Sequence, residues 1–240
     1  MTRFAELPLA QRLSIVRSGT AYLAQRLDGI ADDDFREPSA LPDWTRAHLI
    51  AHLGYNATAL GRLLDWAETG VETPMYSSAE GRATEIAEGA TLEPETLRHE
   101  FRRTARIFDE RLSAATESVW SAQVRTAQGR LVRADEVLWM RSREVWIHAV
   151  DLADGARFED FPDTVLDSLL TDITDVWHRR GDGAGVLLAA DGRAAIPVQP
   201  ETAVTTTVSG PLATVVRWAA GRGAGDIHID GPQTSPPLWL

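Results

Sequence analysis

Glu144, His148 and Asp151 are three polar side chains capable of metal-binding or acid–base chemistry, and they stand four and three residues apart in the segment REVWIHAVDL. At 3.6 residues per turn they share one narrow stripe of a helix whose remaining surface is largely apolar. Imidazole and carboxylate are suitable ligands for zinc and similar divalent ions, and two ligands four residues apart project in the same direction. Because a bound cation would compensate a carboxylate that is costly to bury, the pattern is compatible with a metal site at Glu144 and His148, although the spacing is a weak signal by itself.

A third ligand must come from another part of the chain. The segment RAHLIAHLGYN contains His48 and His52, again four residues apart, and His52 borders the apolar stripe of its helix. His52 can therefore face the interior of a helical bundle. A simpler interpretation stays open, because a Glu–His pair at this spacing can be a helix-surface ion pair that contributes about 0.2–0.5 kcal/mol. The pattern also lacks the His-Glu-x-x-His order of the common metalloproteases.

Amphipathic periodicity predicts the helices that must position these side chains. Four long helices are expected in the first two-thirds of the chain, at about 9–30, 43–66, 93–115 and 134–153. A polar stretch at about 68–89 is typical of a long loop or of short irregular helices. Four helices of this length form a bundle.

After a further predicted helix at about 164–180, the predicted elements become shorter. The segments GVLLAA and ETAVTTTVSG are rich in β-branched residues, DIHIDG alternates, and a helix at about 211–220 separates the last two. The predicted fold class is therefore α+β. We expect a four-helix bundle at residues 1–160, followed by a small α/β C-terminal domain at residues 161–240.

Composition limits the partners of the chain. A net charge of −11 and a pI of about 5.0 argue against nucleic acid, whose binding needs clustered Lys and Arg. No run approaches the roughly 20 apolar residues of a membrane span, and the N-terminus does not resemble a signal peptide, so we expect a cytoplasmic protein. No obligate protein partner is evident. Because there is no cysteine, any thiol chemistry must use a sulfur that a small molecule supplies.

Two phrases, LPDWTRAHLIAHLGYNA and the later REVWIHAVDL, resemble the mycothiol-dependent maleylpyruvate isomerase family, which belongs to the metal-binding DinB-like bundle proteins. The C-terminal VVRWAAGRGAGDIHIDG resembles the smaller second domain of that family, so the resemblance covers nearly the whole chain. It implies that His52, Glu144 and His148 are the metal ligands. His48 is then a neighbour. Asp151 would orient a ligand histidine, although a hydrogen-bond acceptor or surface carboxylate near the helix end stays open.

Arg222 lies in RWAAGRGAG, just outside the expected end of a helix. On spacing alone it is a cation near a helix C-terminus, which contributes about 0.3–1 kcal/mol. The resemblance instead implies that Arg222 binds a carboxylate of the substrate and stabilises the enolate that develops during the reaction. Arg82 is another conceivable anion partner, but nothing in the sequence singles it out.

The activity implied by the resemblance is the isomerisation of maleylpyruvate to fumarylpyruvate, a step in aromatic compound degradation. Mycothiol and a divalent metal, expected to be zinc, would be the cofactors. The metal-bound thiolate would add to the cis double bond, and rotation followed by elimination would give the trans isomer. Two alternatives stay open: a mycothiol S-transferase that conjugates an electrophile, and a metal-binding stress protein without turnover.

Overall fold

The computed structural model describes residues 3–239, which form two compact units. One unit spans Pro8–Ala156. The other combines the described residues up to Leu7 with those from Arg157 onward. The predicted fold class, a helical N-terminal region followed by a smaller part that contains a sheet, is confirmed. The domain division at residues 160 and 161 stays a prediction.

The first unit contains the four long helices that the periodicity predicted. In chain order its elements are α1 (Leu9–Gly29), α2 (Arg46–Thr69), α3 (Ala79–Gly89), α4 (Pro94–Ala114), α5 (Glu117–Ser121), β1 (Gln123–Arg125), β2 (Leu131–Arg133) and α6 (Glu136–Asp151). Helices α1, α2, α4 and α6 match the predicted bundle helices to within a few residues. Strands β1 and β2, which were not predicted, form an antiparallel hairpin before α6.

The polar stretch at 68–89 contains the regular helix α3 where a loop or irregular helices were expected. Ser78 begins this helix, because its Oγ accepts a hydrogen bond from the backbone N–H of Gly81 at 2.9 Å. At the other end, a Cβ on Gly89 would lie 2.8 Å from the Tyr55 hydroxyl. The glycine thus lets α3 pack closely on α2, and this packing stabilises a helix with few apolar residues.

Helix α2 begins at a capping arrangement that involves His48. The Oγ1 atom of Thr45 accepts from the backbone N–H of His48 at 3.4 Å, and His48 Nδ1 accepts from the backbone N–H of Thr45 at 3.3 Å. The helix ends at Gly70, whose φ of 74° is left-handed. His48 therefore fixes the start of the helix that carries His52.

Helix α6 is held against α1 by a close contact at Gly19. A Cβ at this position would lie 2.6 Å from Nε1 of Trp146, so a larger residue would force the helices apart. The ring of Trp146 also stacks on Tyr22, with centroids 5.4 Å apart. This packing fixes the position of α6, which carries Glu144 and His148.

The second unit is built from α7 (Asp163–Arg180), β3 (Val186–Ala190), β4 (Ile196–Pro197), β5 (Thr206–Gly210), α8 (Leu212–Ala219) and β6 (His228–Asp230). Its strands form a sheet in the order β4-β3-β5-β6, with β3 and β5 parallel and the outer pairs antiparallel. Helices α7 and α8 contact each other through Trp177 and Trp218, whose rings meet edge to face 6.2 Å apart. None of the helices within residues 3–239 has the length and apolar character of a membrane span.

Candidate metal centre

His52 on α2 and Glu144 and His148 on α6 form a cluster of metal-ligand side chains. One ligand atom from each residue lies within 4.8 Å of the others. Glu144 Oε2 is 2.9 Å from His52 Nε2 and 3.2 Å from His148 Nε2. The two imidazole rings meet edge to face with centroids 5.2 Å apart. The structure thus brings together the three residues that the sequence named as candidate ligands.

Burial and hydrogen bonding set the protonation of this cluster. Burial lowers the pKa of His52. Burial acts the same way on His148, but hydrogen bonds to Asp151 and Glu144 outweigh it and raise the pKa of His148 to about 9. Burial would raise the pKa of Glu144, yet hydrogen bonds from the two histidines hold it well below its usual range. At neutral pH Glu144 is therefore ionised and His52 is neutral, which are forms that bind a cation. With a pKa of about 9, His148 is protonated at neutral pH and would have to release its Nε2 proton on binding an ion.

Asp151 is fully buried at the end of α6 and contacts the second ring nitrogen of His148. Its Oδ2 lies 2.9 Å from His148 Nδ1, and its backbone carbonyl accepts from the N–H of Ala40 at 2.8 Å. A carboxylate in this position fixes the tautomer and the orientation of a ligand histidine. Of the two candidate ligand histidines, His52 and His148, Asp151 contacts His148.

Arg141 is a fully buried cation that links the two helices of the cluster. Its Nη1 donates to the backbone carbonyl of Leu53 at 2.8 Å and to Oδ1 of Asn56 at 2.9 Å. Burial lowers the pKa of Arg141 to about 10, and the nearby charge of Glu144 opposes that shift. Sequence analysis missed this residue; the available signal was a charged side chain three positions before Glu144 in a largely apolar helix.

Arg82 on α3 contacts His52 from the side opposite Glu144. Its Nη2 lies 3.2 Å from His52 Nδ1, and its guanidinium lies over the ring of Tyr76, 5.6 Å from the ring centroid. Trp44 adds an edge-to-face contact with the His52 ring at 5.5 Å. Both imidazole nitrogens of His52 therefore have partners. The structure singles out Arg82 where the sequence did not.

A cavity of about 570 Å³ opens beside the cluster within the first unit. It is lined by residues of α2, α3 and α6, of the segment between α2 and α3, and of β1 and the turn after it. These include His52, Asn56, Tyr76, Arg82, Arg125, Arg143 and Glu144. Its volume suits a small molecule. Its three arginines outnumber its two glutamates, Glu72 and Glu144, and this excess of positive charge favours an anionic ligand.

Arg222 lies in the second unit, just after α8. Its Nη1 donates to the carbonyl of Ala220 at 2.6 Å, and its backbone N–H donates to the carbonyl of Arg217 at 3.0 Å. Gly221, with a φ of 75°, ends the helical turn before it. The structure thus places Arg222 in a different unit from the ligand cluster, and its role in substrate binding stays a prediction.

The donor set of the cluster fits a divalent transition metal. Two imidazoles and one carboxylate suit zinc and related ions, and three protein ligands leave coordination positions for a thiol or a water molecule. The buried Asp151 agrees with this assignment. Its hydrogen bond to Nδ1 of His148 would hold that ring in place while Nε2 binds an ion.

Known proteins resemble the chain over its whole length. The model of the mycothiol maleylpyruvate isomerase N-terminal domain matches residues 16–153, and the MDMPI C-terminal domain matches residues 160–238. A crystal structure of the mycothiol-dependent maleylpyruvate isomerase is 46% identical over 100% of both chains, with a TM-score of 0.96. The crystal structure of the H52A mutant of the mycothiol-dependent maleylpyruvate isomerase is 45% identical over 100% of both chains, with a TM-score of 0.95. No curated protein matches the chain in sequence.

Proposed function

Because the chain belongs to the mycothiol maleylpyruvate isomerase family, we propose that it isomerises maleylpyruvate to fumarylpyruvate with mycothiol as cofactor. The observation that carries the proposal is the cluster of His52, Glu144 and His148 beside a cavity whose arginines outnumber its glutamates. Full-length identity of 46% to a mycothiol-dependent maleylpyruvate isomerase supports the same activity. The cytoplasmic location and the lack of an obligate protein partner remain predictions.

We propose that His52, Glu144 and His148 hold the divalent ion, for which zinc is the expected identity. When bound, the ion and mycothiol would supply a thiolate that adds to the cis double bond and leaves after rotation about the resulting single bond. Asp151 would keep the proton on Nδ1 of His148 when an ion displaces the proton on Nε2, so that Nε2 can bind the ion. The chain has no cysteine and contributes no thiol of its own.

Anionic groups of the substrate need cationic partners. We propose that Arg222 binds one carboxylate of maleylpyruvate through its planar guanidinium, which matches a carboxylate in a bidentate arrangement. The same charge would stabilise the enolate that develops when the double bond is attacked.

An isomerisation assay tests the proposed function directly. Purified protein, zinc, mycothiol and maleylpyruvate are mixed, and the trans product is followed by proton NMR. We expect fumarylpyruvate to form with full recovery of the free thiol, and no turnover without thiol or after a chelator. Full activity without thiol would overturn the cofactor assignment. Accumulation of a mycothiol conjugate would indicate the S-transferase instead.

A further inference from the structure

The contact between Arg82 and His52 defines the tautomer of the His52 ring. A guanidinium carries donors and no acceptor, so Nδ1 of His52 accepts the hydrogen bond from Arg82 Nη2 at 3.2 Å. The neutral ring then carries its proton on Nε2, which donates to Glu144 Oε2 at 2.9 Å. In this arrangement Arg82, His52 and Glu144 form one directed chain of hydrogen bonds.

An ion held by His52 requires the opposite tautomer. The Nε2 atom faces Glu144 and is the nitrogen that offers a lone pair to the cluster. A neutral imidazole that ligates through Nε2 carries its proton on Nδ1, and an Nδ1–H group cannot accept from a guanidinium. The hydrogen bond from Arg82 and a metal bond to His52 therefore exclude each other.

Arg82 is well placed to take a different acceptor when the ion is bound. It lines the cavity beside the cluster, and the ring of Tyr76 supports the face of its guanidinium. A planar guanidinium supported in this way matches a carboxylate bidentately. Metal loading would release the Nη2 donor for this pairing, since His52 accepts from Nη2 only in the metal-free tautomer.

We propose that Arg82 is a specificity-determining residue that binds a substrate carboxylate in the metal-loaded protein and is held by His52 in the metal-free protein. This inference rests on the proposed function, because that function supplies a dicarboxylic substrate. It assigns to the first unit an anion-binding residue separate from Arg222.

Binding of succinate, a dicarboxylate with no double bond to isomerise, tests the inference without the reaction. Isothermal titration calorimetry compares the zinc-loaded wild type with Arg82→Met and with Arg125→Met. Arg125 is the matched control, because it lines the same cavity while its Nη1 donates to the carbonyl of Gly129. We expect Arg82→Met to weaken succinate binding about tenfold or more, and Arg125→Met to weaken it clearly less. An equal loss in both variants, or none in Arg82→Met, would overturn the inference.

Zinc affinity gives a second measurement. Arg82→Met removes the donor that competes with the ion for the His52 ring, so this variant is expected to bind zinc about threefold or more tightly than the wild type. Arg125→Met removes a positive charge from the same cavity without touching His52, and is expected to change zinc affinity less. Equal changes in both variants would show that charge alone acts, and would contradict the mutual exclusion.

The two proposals fail in different ways. A protein that isomerises maleylpyruvate while Arg82→Met binds succinate as the wild type does would overturn the inference about Arg82 alone. A protein that shows both binding differences and does not isomerise maleylpyruvate would overturn the proposed function alone.

Discussion

The two units of the molecule use buried polar groups differently. In the unit that spans Pro8–Ala156, His52 pairs with Glu144 and Arg141 pairs with Asn56, and both pairs join α2 to α6. In the other unit, buried Thr174 donates back to a carbonyl of its own helix, and buried Asp167 pairs with Arg193, which lies outside α7 and α8. The contact between α7 and α8 is there made by two tryptophans.

The two kinds of helix contact differ in what they cost and in what they can contribute. Polar groups that cross between buried helices are costly, because each must keep its partner in a region that excludes water. Aromatic contacts between helices stabilise a fold without that requirement. The first unit accepts the cost where a ligand is expected to bind, whereas the second unit joins its helices through apolar surface.

Glu144→Gln is expected to have the largest effect, and the effect is on activity. The substitution keeps the size of the side chain but removes the ionised carboxylate that is proposed to bind the metal. We expect zinc binding to be lost and the isomerisation rate to fall about a thousandfold or more, since a catalytic metal contributes several kcal/mol to the barrier. Zinc titration and steady-state rates measure both. Glu136→Gln, in the first turn of the same helix, is the control, and a comparable loss there would contradict a metal role for Glu144.

Trp177→Ala tests the apolar contact between α7 and α8 in the second unit. Trp177 is fully buried, so its truncation is expected to lower the free energy of unfolding by about 3–5 kcal/mol. Denaturant titration measures this loss, and the zinc affinity of the folded variant should stay unchanged. Trp177→Phe fills most of the same space and should cost less. A fall in zinc affinity of the folded protein would show that the second unit supports the cluster.

Asp151→Asn weakens the support of a ligand without removing the ligand. The neutral amide no longer holds the Nδ1 proton of His148 with a charge, and we expect zinc affinity to fall about 10–100-fold. Asp154→Asn, shortly after α6, is the control. If both variants bind zinc as the wild type does, Asp151 has no role in orienting His148.

Arg141→Met has the smallest expected effect of the four. The variant leaves the carbonyl of Leu53 and the amide of Asn56 without a buried donor, which costs about 1–3 kcal/mol of unfolding free energy. Thermal and denaturant unfolding measure it. Arg103→Met removes an exposed arginine paired with Glu100 and should leave the unfolding curve unchanged. A more stable Arg141→Met variant would show that apolar packing can replace this polar link.

Sequence periodicity was sufficient to predict the long helices of the fold. Helices with many buried apolar positions, such as α2, carry the period along their whole length. Helix α3 buries only two of its residues, Ile86 and Gly89, and depends on contacts with α2 that no local pattern encodes. The strands of the β1–β2 hairpin have three residues each, too few for an alternation to be recognised.

For the site, local spacing identified Glu144 and His148, which share one helix face. Their partner His52 lies on another helix, and the family resemblance rather than spacing paired it with them. Sequence analysis did not identify Arg141. One of its acceptors is the backbone carbonyl of Leu53, and because every residue type has such a carbonyl, no residue pattern marks the contact. The contact of Arg82 with His52 depends on the position of α3, which the sequence did not predict.

The ligands of the cluster come from helices far apart along the chain, with His52 and Glu144 separated by 92 positions. An unfolded chain therefore offers no preformed site, and binding of the proposed metal ion would be thermodynamically linked to the packing of α2 on α6. Free zinc at a thousand times its dissociation constant would add about 4 kcal/mol to the free energy of unfolding. If the cluster binds zinc as proposed, the melting temperature of the protein would rise with the concentration of free zinc.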